Sequence, residues 1–380
     1  MRAGISRWAA MGIVFAATSA LGQGAATRAD FGALPDGRKV EAITLAGARG
    51  IKVVVINYGA TLQSVVLPDR EGKLADVIVG PGSLEPYLKK PEYFGATVGR
   101  FANRIANGAF TLDGKSYQAP RNNDGNSLHG GERGFDKALW DIVEVGEGSN
   151  ASVTLRLVSP DGDQGFPGSL TALAIYSLKG SDLSIEYRAT TDAPTIVNLS
   201  NHAYWNLAGE GSARSALDQL LTITAEAYTP VNASLIPTGE VKSVVDTAFD
   251  FRTPTRIGAR VREAMDEQIA RGRGYDHNFV ISRRASQEPR LVAKLEDPAS
   301  GREFELRSDQ PGLQFYSGNF LDGTTIGKSG RLYRQGDAVV LEPQLFPDTP
   351  NQPAFGSARL APGEQYRSRI VYRFGMSKSR

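Results

Sequence analysis

Apolar and polar residues alternate with a period of two in segments spread along the whole of this 380-residue chain, and this restricts its fold more than any other feature. A strand turns successive side chains to opposite faces, so alternation marks a strand with one buried side. In Leu183-Ser-Ile-Glu-Tyr-Arg188, the residues Leu183, Ile185 and Tyr187 face one way and Ser184, Glu186 and Arg188 the other. Residues 171–178 precede it across Lys179-Gly-Ser-Asp182, which predicts a hairpin. Further half-buried strands are expected at 51–56, 153–158, 220–224 and 303–307. The last, at 366–374, sets Ser368, Ile370, Tyr372 and Phe374 against Arg367, Arg369 and Arg373. Helical spacing is scarce: Ile257, Val261, Met265 and Ile269 recur every fourth residue and predict one helix over 257–270. With 42 glycines and 20 prolines to make turns, the expectation is an all-β chain. Residues 27–380 are read as one large antiparallel β-sandwich domain with very few short helices.

Charge is nearly balanced, 43 basic against 41 acidic residues, with no sustained basic run, which argues against a nucleic-acid partner. Cysteine is absent, which removes disulfides and thiol chemistry. At the N-terminus Arg2 and Arg7 lead into an apolar stretch over 8–21, with small residues following at 22–26. This is the layout of a secretory signal peptide over 1–26, with cleavage anywhere from Gly22 to Ala29. Retention as an N-terminal anchor is the alternative. The expected location is periplasmic or secreted, with no membrane association after signal removal. Monomer and homodimer both remain open.

Few residues are suited to acid–base work. Glu342 follows the apolar run 338–341 and precedes a loop dense in proline, and a carboxylate at such a junction is poorly solvated unless something binds it. The chain has three histidines, in SLHGG, NLSNHAYWNL and GYDHNF. In the segment GRFANRI, Arg104 presents a fork of donors suited to hydroxyls or a carboxylate, and a structural ion pair is its alternative reading. His129 ends the polar loop NNDGNSLHGG, where the glycines serve either close approach to a ligand or simple turns. His202 sits among amides and aromatic rings, as a proton donor or a buried structural residue. Asp276 and His277 are adjacent on an expected strand and so point to opposite faces. No HExxH pair, P-loop or GxGxxG is present.

GRFANRI, NSLHGG, SPDGDQGFPG, NLSNHAYWNL, YDHNF, QPGLQFYSGN and LEPQLFPDTPNQPAF occur in this order from about residue 95 to 355. Together they resemble the aldose 1-epimerase (galactose mutarotase) family. The resemblance implies a β-supersandwich with an open sugar-holding cleft, an isomerase that interconverts the α and β anomers of free hexoses such as galactose and glucose. It makes Glu342 the general base and His202, protonated, the general acid. It puts Asn103, Arg104, His129, Tyr204, Asp276 and Gln314 at sugar-binding positions, with Asp276 as the site-facing member of its pair. No cofactor or metal is implied, since ring opening and closure involve no net redox change. Tyr204, Trp205 and Phe279 are candidates to cover the apolar face of the sugar, and for the last two a core position is the competing reading.

Three other functions compete with this one. A non-catalytic carbohydrate-binding protein of the same fold would not need a base opposite an acid. A glycoside hydrolase would pair Glu342 with Asp276 and leave His202 without a role. An epimerase for phosphorylated sugars would gather cations at the cleft, for which Arg100, Arg104, Arg121 and Arg133 are available.

Overall fold

A computed structural model of the protein describes residue 22, residues 24–89 and residues 92–378. The segment expected to act as an export signal lies outside these residues, apart from its last few positions. Three antiparallel sheets carry the architecture. The largest has nine strands, in the order Asp141–Gly146, Ala151–Ser159, Leu170–Lys179, Asp182–Thr191, Tyr366–Met376, Arg302–Ser308, Arg290–Glu296, Leu220–Ile223 and Thr255–Arg256. A five-stranded meander runs through Ala26–Ala33, Lys39–Ala46, Lys52–Ile56, Thr61–Pro68 and Leu74–Asp76. A seven-stranded sheet contains, side by side, Asp276–Val280, Gly312–Tyr316, Val339–Gln344 and Tyr204–Trp205.

The expected alternation is realised in the nine-stranded sheet. Leu170–Lys179 buries every second residue, and its hairpin to Asp182–Thr191 closes with Lys179 opposite Asp182. In Tyr366–Met376 the residues Ser368, Ile370, Tyr372 and Phe374 are the buried ones. These inward faces meet side chains from both other sheets in one continuous apolar core, which includes Val53, Tyr176, Ile370, Phe315 and Leu341. Burial of this kind is the main favourable term in folding.

The helix expected over 257–270 does not form as one element. The chain makes a 3₁₀ turn at Ile257–Ala259 and then a short α-helix at Glu267–Gly272. Asp266 explains the late start, because its carboxylate accepts the amide protons of Gln268 and Ile269 and so caps a helix beginning there. Met265, which the spacing put on the buried face, is 99 % exposed.

The seven-stranded sheet decides where the chemistry sits. The four strands named are buried on both faces: one face packs into the core and the other forms a cleft. Asp276 pairs with Tyr316, Asn278 with Gln314, Gln314 with Glu342, and Val340 with Tyr204. By the two-residue period, Asp276, Gln314, Tyr316, Glu342 and Tyr204 share the cleft face. His277, Phe279, Phe315, Leu341 and Trp205 take the other face, and all but His277 belong to the main core cluster.

Candidate active site

A cavity of about 440 Å³ opens on that cleft face, within the range usual for small-ligand sites. Its lining includes Asn103, Arg104, His129, His202, Tyr204, Asp276 and Glu342. The sheet supplies Tyr204, Asp276 and Glu342. The short strand Arg104–Ile105 supplies Arg104, and the loops on either side supply Asn103, His129 and His202. Glu342 therefore stands mid-strand, in Val339–Gln344, and not at a strand end as its sequence context suggested.

Each loop residue is held by main-chain contacts that its own motif provides. Asn103, at φ 64°, and His129, at φ 51°, are tied reciprocally. The Asn103 amide donates to His129 Nδ1 at 3.1 Å, and the His129 amide donates to the Asn103 carbonyl at 3.0 Å. Because Nδ1 accepts, a neutral His129 carries its proton on Nε2. Gly130, at φ 89°, is required here: a Cβ on it would lie 2.0 Å from the Gly99 carbonyl oxygen. The glycines after His129 thus serve backbone approach within the protein. His202 is fixed at both ends of its peptide, its amide donating to the Ala96 carbonyl at 2.9 Å and its carbonyl accepting from Gly95 at 3.0 Å.

Arg104 and Asp276 form an ion pair at 3.5 Å, both almost fully buried. Asn123 accepts from Arg104 Nε at 3.1 Å, and Gln314 donates to Asp276 Oδ1 at 2.7 Å. The result is a rigid donor–acceptor ledge suited to neighbouring hydroxyls. Gln314, expected as a sugar contact, is absent from the cavity lining and grips Asp276 from behind. Trp205 and Phe279 lie in the core, Trp205 among Phe304, Tyr372 and Phe374. His277 is buried on the far face against Gln268. Asn123 and Tyr93 also line the cavity and were not singled out from sequence. Asn123 stood within a quoted motif, whereas Tyr93 had no distinguishing signal.

His202 Nε2 and Glu342 Oε1 are 3.9 Å apart at the cavity floor, 6 % and 2 % exposed as residues. Burial pushes the Glu342 carboxyl well above the usual carboxylate range, Asp276 adds to the push and Arg104 opposes it. Burial also lowers His202 to about 4. The protonated His202 that the resemblance implies is therefore disfavoured by its buried surroundings. Loss of water opposes the charged form of both groups. His129 is held well below its ordinary value by burial, His202, Arg104 and Lys137, so it is a neutral Nε2–H donor.

His129, His202 and Glu342 bring potential ligand atoms within 4.8 Å of one another. The tautomer of His129 argues against a cation there. Its Nδ1 lone pair is committed to the Asn103 amide, so Nε2 carries a proton where a metal would need a lone pair. Of the four arginines considered for phosphate, only Arg104 lines the cavity. Arg100 is buried elsewhere and donates to the Ser159, Pro160, Pro167 and Gly168 carbonyls.

Residues 41–373 match the sequence model of the family described as Aldose 1-epimerase. The chain is 45 % identical over 352 residues to the galactose mutarotase of Rattus norvegicus, covering 92 % of this chain and 99 % of that one. It is 46 % identical to the galactose mutarotase of Bos taurus with the same coverage. The crystal structure of galactose 1-epimerase from Lactobacillus acidophilus superposes with a TM-score of 0.82 at 30 % identity, covering 93 % of this chain and 99 % of that chain.

Proposed function

The chain belongs to the aldose 1-epimerase family and is an isomerase, and from that premise we propose that it opens and recloses free hexoses such as galactose and glucose, with Glu342 as general base and His202 as general acid. The observation that carries this is the pair His202 and Glu342, 3.9 Å apart on the floor of a cleft walled by a ledge suited to hydroxyls. The anomeric hydroxyl and the ring oxygen are bonded to the same carbon, so the group taking one proton must lie close to the group giving the other. Glu342 takes the proton from the anomeric hydroxyl as His202 delivers one to the ring oxygen, and the bond from C1 to the ring oxygen breaks. Rotation about C1–C2 presents the other face of the aldehyde. Closure then reverses both transfers. Arg104, Asp276, Asn103 and the Nε2–H of His129 hold the remaining hydroxyls, and Tyr204 offers its ring to the sugar.

The pair works as a unit that holds one proton throughout. The working form, carboxylate with imidazolium, and the ring-opened form, carboxyl with imidazole, differ only in where that proton sits. Burial favours the second arrangement, and the mutual attraction at 3.9 Å favours the first. Opposing preferences of this kind keep the two arrangements near in free energy, as a reversible transfer requires. Acid–base groups so placed contribute about 10²–10⁴-fold each. Asp276, the partner that the hydrolase reading gives to Glu342, is already engaged by Arg104 and Gln314.

The test is polarimetry on freshly dissolved α-D-galactose and α-D-glucose. Wild type should speed the decay of rotation, and His202→Asn should abolish the effect while still folding. Sugar binding without faster decay would make the protein a carbohydrate-binding relative instead.

Export belongs to the same proposal. Arg2, Arg7 and the apolar stretch 8–21 support it. The strand Ala26–Ala33 begins with Ala26 opposite Leu45, so cleavage before Ala26 leaves the mature domain intact and later cleavage trims a sheet edge. N-terminal sequencing of the protein from a periplasmic fraction should start between residues 23 and 26, and an intact Met1 there would refute it. A monomer or homodimer is expected by light scattering.

A further inference from the structure

We propose that Tyr93, braced by Lys137, is a positioning residue that sets the ring planes of His129 and His202 for the reaction. The inference rests on the acid–base reading above and adds two residues to it. The Tyr93 ring is 4.6 Å from that of His129 and 5.7 Å from that of His202, and the two histidine rings are 5.2 Å apart at 89°. Three rings at these separations restrict one another's rotation, because each forms part of the packing surface of the other two.

The backbone beneath Tyr93 is built for this. Tyr93 holds φ at 60°, a conformation rare for a bulky side chain and found where the surroundings enforce it. The surroundings are those of His202 itself. The Tyr93 carbonyl accepts from Ala96, whose own carbonyl accepts from His202, and Gly95 donates back to the His202 carbonyl. Asn201, the residue before His202, donates its side-chain amide to the Gly95 carbonyl at 2.8 Å. Gly95 closes the turn at φ 68°, where a Cβ would lie 2.1 Å from the Leu62 carbonyl oxygen. The turn that carries Tyr93 and the peptide of His202 therefore move as one piece.

Lys137 supplies the brace. Its ammonium sits 5.8 Å from the centre of the Tyr93 ring, an arrangement favoured by the ring quadrupole. It is anchored by the Glu132 carbonyl at 2.6 Å and by Asp136 at 3.6 Å. Asp136 is buried with no hydrogen-bond partner on either carboxylate oxygen among the described residues, which leaves Lys137 as its neighbouring cation. The 3₁₀ turn Phe135–Lys137 is in turn pinned through Phe135 to the Gly99 carbonyl, beside Gly130 and the His129 loop.

The experiment is steady-state mutarotation with Tyr93→Ala, Tyr93→Phe, Lys137→Met and Lys137→Arg, each checked for folding by thermal melt. A misplacement of about 1 Å in a reacting group costs on the order of 10²-fold. Tyr93→Ala is expected to lower kcat about 30–100-fold with KM within about threefold, and Tyr93→Phe, which keeps the ring, to stay within about threefold of wild type. Lys137→Met should lower kcat about tenfold, and Lys137→Arg should restore most of it. Should Tyr93→Ala fail to fold, the two Lys137 variants decide. The proposal is overturned by a Tyr93→Ala kcat within twofold of wild type, by a change confined to KM, or by Lys137→Arg no better than Lys137→Met. An inactive wild type would overturn the acid–base reading itself, whereas active wild type with unaffected variants overturns only this inference.

Discussion

Replacing Glu342 by Gln should make the protein more stable and nearly inactive, two effects with one physical cause. The Glu342 carboxylate is 2 % exposed, and its Oε2 has no hydrogen-bond partner among the described residues. An under-satisfied buried polar group costs about 1–3 kcal/mol and a charged one more, and Gln, still polar, keeps the shape while removing the cost of the charge, taken here as the same about 1–3 kcal/mol. Unfolding entropy of roughly 2.1 cal/mol/K per residue gives about 0.8 kcal/mol/K for a chain of this length. The expected rise in Tm is therefore about 1–4 °C. The sign of its pH dependence follows from the raised carboxyl. Folded protein binds this proton more tightly than unfolded chain does, so wild-type stability is full below the unfolded carboxylate pKa and falls as pH rises through the folded one. The advantage of the variant should be largest near pH 8 and disappear toward pH 4. Calorimetry at both pH values reads stability, and polarimetry reads a loss of turnover of about 10²–10⁴-fold. A variant less stable than wild type at pH 8 would show that Arg104 more than compensates the buried charge. Retained activity would remove Glu342 as the base.

Wild-type activity should persist down to about pH 5 and be lost below about pH 4, where His202 takes a second proton and the pair can no longer accept one from the sugar. A limb at the ordinary histidine value in the kcat/KM profile would contradict the burial argument. Stability should also fall with acid, because His202 and His277 are lowered to about 4 and about 3 by burial. Unfolded chain binds these protons first as pH drops below 6.5, and His202 alone then costs about 3 kcal/mol by pH 4 at roughly 1.4 kcal/mol per unit. Urea unfolding of the Glu342→Gln variant at pH 7 and pH 4.5 measures it free of the opposing carboxyl effect, and equal midpoints would refute it. Asn123→Ala should raise KM about 3–10-fold by releasing Arg104, and Arg104→Ala about 10–100-fold by removing hydrogen bonds to a charged group. Equal effects from the two would show that Asn123 does more than orient Arg104.

Alternation between two faces is a local property of the chain, and it was legible. The strands around 171–178 and 183–188 form as read, and the same period separates Asp276 from His277 and puts Phe279 on the core face with Trp205. The residues that converge on the cleft were legible too, because their motifs carry the turns and glycines that aim them, as Gly130 does beside His129. The helix expected over 257–270 failed because an exposed Met265 and a capping Asp266 outweighed a four-residue spacing. Gln314 could not be distinguished from a lining residue, since strand register puts it on the cleft face and only side-chain packing turns it toward Asp276. Tyr93 and Lys137 lie far apart in sequence and touch only in the folded chain. Sequence by itself determined the alternating strands, their faces and the residue types available for proton transfer. Tertiary structure alone decided the 3.9 Å approach of His202 and Glu342 and their altered proton affinities, because exclusion of water is a property of the space around a group and not of its neighbours along the chain.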